Sequence, residues 1–129
     1  MKFNDEKGAA LVELALSVVL LVTLLFGMIE FGRVMYMRNS LNLAAREGAR
    51  MASVSKTVST SDVESQVKNF IPFDSTGLSV VVSSTPAGFT SGSTITVTAS
   101  MPFQSVVPLL ITQLNGLTLT GQASMRYEY

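Results

Sequence analysis

Three patterns of apolar and polar positions divide the chain. Between Ala9 and Ile29 only Glu13 is charged. From Glu30 to Val54 apolar residues recur at spacings of three and four, the period of a one-sided helix. Beyond Leu78 they alternate with serine and threonine, the period of half-exposed strands. No proline occurs before Pro72, so nothing breaks the first two patterns apart, and they predict one long helix from Gly8 to Val54. Its first half is apolar all round and its second half on one side.

The 21 residues from Ala9 to Ile29 would span roughly 31 Å as a helix, the hydrocarbon thickness of a bilayer. Leu14–Ile29 alone is 16 uncharged residues, slightly short of a full crossing. A buried core helix is disfavoured, because the hundred or so residues that follow cannot cover it on every side. A cleaved secretory signal is disfavoured too. The apolar run is long, and Glu30-Phe31-Gly32-Arg33 after it is no small-x-small site.

In the second half, Phe31, Val34, Met35, Leu41, Ala45, Gly48, Ala49 and Ala52 are expected to form the docking face, interrupted by Arg38. It tapers to small residues, with Ala44 among them, that allow close backbone approach. The opposite face carries Arg33, Asn39, Arg46, Glu47 and Arg50, with Glu30–Arg33 and Glu47–Arg50 spaced as helical ion pairs. Gly27 and Gly32 lie inside the helix, where each costs about 1 kcal/mol relative to alanine, as a bend or as close-packing sites.

After a polar connector, Ser53–Thr60, the run Ser61-Asp62-Val63-Glu64 reads as a capping box opening a short helix. Val63, Val67 and Phe70 would point inward, and Pro72 would stop it. Three strands follow, near 78–83, 94–101 and 117–128. Thr85–Ser93 is a hairpin loop, and Pro102–Gly116 is an apolar excursion suited to a short helix over one sheet edge. The helix stripe is the natural cover for the strands. The expected fold is α+β: a long N-terminal helix packed on a small antiparallel sheet of about three strands.

Composition narrows the chemistry. Cysteine and histidine are absent, which removes disulfides, thiol chemistry, the common zinc sites and an imidazole base. Asp62, Glu64 and Asp74 do not have calcium-loop spacing. No phosphate loop follows a strand. Zero net charge implies no general attraction to nucleic acid. The chain is expected to be no enzyme and to need no cofactor or metal.

Glu13 is the exception in the apolar run. A carboxylate there costs about 2–3.5 kcal/mol at a bilayer centre, less near the end. It can rest at the interface, helped by the helix dipole. It can also take a partner. Hydrolysis of the Gly8–Ala9 bond would create an α-ammonium on Ala9, four residues from Glu13 on the same helix and equally within reach of Glu13 on a neighbour offset along the axis.

Lys7-Gly8 before Ala9-Ala10-Leu11-Val12-Glu13 resembles the class III signal of type IV pilins and pseudopilins. Phe26-Gly27-Met28-Ile29-Glu30-Phe31-Gly32-Arg33, then Asn42-Leu43-Ala44-Ala45-Arg46-Glu47-Gly48-Ala49-Arg50, resembles the TadE-like minor pilins of tight-adherence pilus systems. The resemblance covers residues 8–54. It implies a pilin-like fold, cleavage after Gly8 by a prepilin peptidase, Ala9 as the mature N-terminus, and Glu13 as the assembly glutamate. Leu14 stands where the family often has an aromatic. The implied organisation is a cytoplasmic leader (1–8), a membrane or filament-core half-helix (9–29), an amphipathic half (30–54) and an external domain (55–129). The implied partners are the peptidase, other pilins and minor pilins, the membrane assembly platform and the bilayer. The implied location is the bacterial inner membrane, single pass, with the domain outside the cytoplasm and possible passage into a pilus. The arginines after the span, counted alone, favour the opposite orientation. Without the resemblance, a non-polymerising anchored domain that binds a periplasmic or surface partner also fits.

Overall fold

A computed structural model of the chain describes residues 3–57, 59–106 and 116–128. The first element, α1, runs unbroken over Phe3–Val54, 52 residues, or roughly 78 Å. It starts five residues before the expected Gly8. It passes through Gly27 and Gly32 without interruption, and a Cβ at either would meet open space. Neither glycine is a bend or a packing site within this chain.

The helix α2 spans Thr60–Phe70. Its capping box is displaced by two residues from the expected one. Ser59 is the N-cap, its hydroxyl accepting from the Asp62 amide at 3.2 Å while the Asp62 carboxylate accepts from the Ser59 amide at 3.0 Å. Ser-x-x-Asp at 59–62 closes the reciprocal pair as Ser-x-x-Glu would. The hydrogen bonds from Ser59 hold the Asp62 carboxyl below its ordinary value. Val63 and Val67 point inward, but Phe70 is 46% exposed and Ile71, the C-cap, is buried in its place. The extended C-cap before Pro72 turns the chain by one position and swaps their faces.

The strands β1 (Ser79–Thr85), β2 (Thr94–Pro102) and β3 (Thr118–Arg126) form one antiparallel sheet in the order β1-β2-β3. Val82 pairs with Val97, and Ala99 with Gly121. Ile95, Val97, Ala99 and Met101 of the central strand face the core, and Thr94, Thr96, Thr98 and Ser100 the other side. The hairpin loop at 86–93 turns on Gly88 and Gly92, both at positive φ. The short helix expected within Pro102–Gly116 falls mostly on residues 107–115, outside the described residues.

The architecture is α+β, a long helix laid on a three-stranded sheet. Residues 30–52 of α1 lie against β3 and β2, and α2 fills the angle between α1 and β1. Leu41, Ala44, Ala45, Ala49, Val63, Val67, Ile95, Val97 and Phe103 are wholly buried between the layers. Each large one contributes about 1.5–3 kcal/mol by leaving water. The far ends of the layers are tied together. The Ser53 carbonyl accepts from the Glu128 amide, and the Tyr127 hydroxyl donates to the Ser55 carbonyl at 3.3 Å.

Candidate functional site

Among the described residues, the apolar half of α1 is left outside the packed core. Every described residue from Glu6 to Phe26 is exposed, and none of the most apolar 18-residue window is buried. It is the one helix among the described residues long and apolar enough to cross a membrane. Its two polar uncharged side chains after Glu13 are satisfied within the helix. The Ser17 hydroxyl donates to the Glu13 carbonyl at 2.9 Å, and the Thr23 hydroxyl to the Val19 carbonyl at 2.8 Å. Such back-bonding is how hydroxyls are carried in an apolar medium. Gly8 and Ala9 lie in regular exposed helix. Glu13 is exposed on the same rod, with no ion-pair partner among the described residues.

The docking half begins at Glu30. Val34, Leu41, Ala45, Gly48, Ala49 and Ala52 are buried, and Met35 packs half-buried at the edge of the core. Phe31 is not in the seam: it is 63% exposed. Each helical residue turns by about 100°. Glu30 is in phase with Val34, Leu41 and Gly48, while Phe31 is in phase with Arg38, itself exposed. The interruption at Arg38 was therefore the rim of the face. Gly48 lies where α2 crosses, and a Cβ there would meet Val67 at 2.7 Å. Met37 and Ala44 complete the seam.

Glu30 is the residue that periodicity missed. It is 1% exposed, a carboxylate at the lower end of an apolar interface. One oxygen accepts from Nη1 of Arg33 at 3.1 Å, and the other from the Val106 amide at 2.8 Å. The Arg33 guanidinium lies 5.3 Å above the centre of the Phe103 ring and donates to the Gln104 carbonyl at 3.5 Å. One ion pair thus clamps the chain leaving β2 against the helix where the apolar half ends. The spacing to Arg33 suggested only a surface pair worth a few tenths of a kcal/mol. The available signal was its phase with Val34 and Leu41. Replacing Glu30 with alanine is expected to cost about 1–3 kcal/mol, since it leaves the Val106 amide without its acceptor and takes the ion-pair partner from the partly exposed Arg33. Thermal unfolding of the full chain in detergent would check this, and a loss below about 1 kcal/mol would refute the clamp.

The second expected pair stands free of the core. Arg50 donates to Glu47 through Nε at 3.1 Å and through Nη2. That hydrogen bond holds the Glu47 carboxyl below its usual range. Above the clamp, Arg33, Tyr36, Phe73, Asp74, Met101 and Gln104 border an open cleft of about 350 Å³, with the Tyr36 and Phe73 rings 6.1 Å apart. No group of three or more metal-ligating side chains exists among the described residues. Asp74 is used by Thr76, whose amide and hydroxyl both donate to it.

Residues 8–50, about a third of the chain, match the family model of TadE-like proteins. The match takes in the apolar half of α1, Glu30 and Arg33 of the clamp, and the docking seam up to Ala49. No match was found among curated proteins or among solved structures.

Proposed function

We propose that this chain is a minor pilin of a tight-adherence pilus, because residues 8–50 match the TadE-like family model and the apolar part of that stretch, up to Phe26, is exposed throughout. It enters the inner membrane by residues 9–29 with the leader in the cytoplasm and the domain outside. A prepilin peptidase cuts the Gly8–Ala9 bond. Glycine at that position lowers the cost of unwinding the helix for cleavage by about 1 kcal/mol. Hydrolysis leaves a carboxylate on the departing leader and an ammonium on Ala9. That ammonium pairs with Glu13, of its own helix or of a neighbour, and sets the axial register between packed subunits.

The assembly platform then draws the helix from the bilayer into a filament base or tip. Leu14–Ile29 is held there by neighbouring helices, because exposure to water would cost about 1.5–3 kcal/mol for each large side chain. The role is structural. The partners are other pilins and minor pilins, the peptidase and the platform, and no cofactor takes part.

The observation that carries this reading is the unpacked apolar half-helix with a single acid four residues beyond a Gly–Ala bond. Mass spectrometry of the protein from its native host tests it. The expected mature chain begins at Ala9. A chain still beginning at Met1, in cells whose prepilin peptidase is active, would instead support a non-polymerising anchored domain.

A further inference from the structure

We infer that the foot of the domain, where Val106, Leu117 and Phe31 stand exposed, is a second, shallow contact with the lipid bilayer. The inference rests on the reading of residues 9–29 as a membrane span. The clamp fixes the height of Val106. The Val106 amide donates to Glu30, which is the first residue after the apolar run. At about 1.5 Å per residue, Val106 is therefore held at the level where α1 leaves the hydrocarbon.

The end of β2 and the approach to β3 are bonded to each other beside it. The Phe103 amide donates to the Leu117 carbonyl at 2.7 Å, and the Gly116 amide to the Phe103 carbonyl at 2.9 Å. Phe103, Gly116 and Leu117 thus meet at the foot of the sheet.

The side chains described at this foot are the wrong ones for water. Val106 is 70% exposed, Leu117 44% and Phe31 63%. Leu117 and Phe31, like Phe70 of α2, are apolar residues that periodicity assigns to the core face and the structure leaves outside it. Roughly one to two turns higher, Arg33 and the exposed Tyr36 stand at headgroup level, as basic and aromatic residues do at a membrane boundary. An apolar rim that continues from a membrane-spanning helix has lipid as its nearest cover. Partial burial of such side chains in the headgroup and acyl boundary is the mode of interfacial segments.

The absence of cysteine makes the test direct. Val106→Cys, Leu20→Cys and Thr90→Cys each give a single thiol for an environment-sensitive fluorophore on the full chain in phosphatidylglycerol–phosphatidylethanolamine vesicles. Leu20 lies in the span, and Thr90 in the hairpin loop at the opposite end of the sheet. Nitroxide-bearing lipids are expected to quench the label at 20 strongly. They should quench the label at 106 by at least half as much, with a blue-shifted emission, and leave the label at 90 untouched. Quenching at 20 with a water-like, unquenched label at 106 would overturn this inference alone. No quenching at 20 would overturn the spanning reading and this inference with it. Equal quenching at 90 and 106 would mean that the dye inserts by itself, and repeating the series with a charged fluorophore then decides: position 106 must still exceed position 90.

Discussion

Replacing Gly121 with alanine or leucine is expected to pull the helix off the sheet. Gly121 lies in the middle of β3, opposite Ala99, where glycine has no conformational reason to be. Its reason is proximity. A Cβ there would fall inside the main chain of Leu41 and Asn42, only 2.6 Å from the Leu41 carbonyl oxygen. Main chain of a packed helix cannot step aside as a side-chain end can. The helix would have to rise along its whole docked length. That would unseat Leu41 and break the bond from the Gln122 amide to the Asn42 side-chain oxygen, now 3.2 Å. The cost should reach about 3 kcal/mol or more. For a domain of this size that lowers the melting temperature by roughly 12–24 °C.

Near-UV dichroism of the tyrosines, with the full chain in detergent, reports the domain without interference from the exposed half-helix. Gly32→Ala is the internal standard, because its Cβ meets nothing and its helix should gain up to about 1 kcal/mol. If Gly121→Ala melts with the wild type, α1 does not approach β3 as closely as described.

Glu13→Ala should abolish incorporation into pili while leaving insertion intact. The side chain makes no contact that holds the domain together, so folding is untouched. Removing a carboxylate from the apolar half-helix makes insertion easier. Assembly is the step that suffers. After cleavage, the ammonium of Ala9 would enter an apolar helix bundle without its counter-charge, and an uncompensated buried charge costs about 3–5 kcal/mol. At about 1.4 kcal/mol per tenfold, incorporation should fall by at least a hundredfold. Immunoblots of sheared pili and of membranes from the same cells would read this as loss from the first and normal level in the second. Normal incorporation of Glu13→Ala would remove the basis for a register role.

The two substitutions separate the two halves of one helix. Gly121 reports how the upper half is docked, and Glu13 tests the assembly role proposed for the lower half. The Glu30–Arg33 clamp lies at the boundary and joins a loop of the sheet to the point where the rod becomes apolar. A helix that passed through the domain without such a joint could twist or slide relative to the sheet. Here the carboxylate, the guanidinium and the Phe103 ring fix the height at which the domain begins.

Much of this was legible along the chain. The apolar run, the helical stripe and the three alternating segments report the length of α1, the sheet and the layer order, because period and length are properties of consecutive residues. The small residues Ala45, Gly48 and Ala49 announced a close approach, and the approach is there. Which residues stand at the edges of a face is another matter. Phe31 and Glu30 differ by one position, and Phe70 and Ile71 by one. Chemistry alone places the phenylalanines inside, but the phase set by the whole docked helix and the turn before Pro72 place Glu30 and Ile71 there. The choice of Ser59 over Ser61 as N-cap is of the same kind, since two overlapping patterns satisfied the local rule. Gly121 was readable only as one more strand residue. Its role exists because a particular turn of α1 crosses a particular pair of β3, and the distance between two elements far apart in the chain is decided by packing, not by either sequence pattern alone.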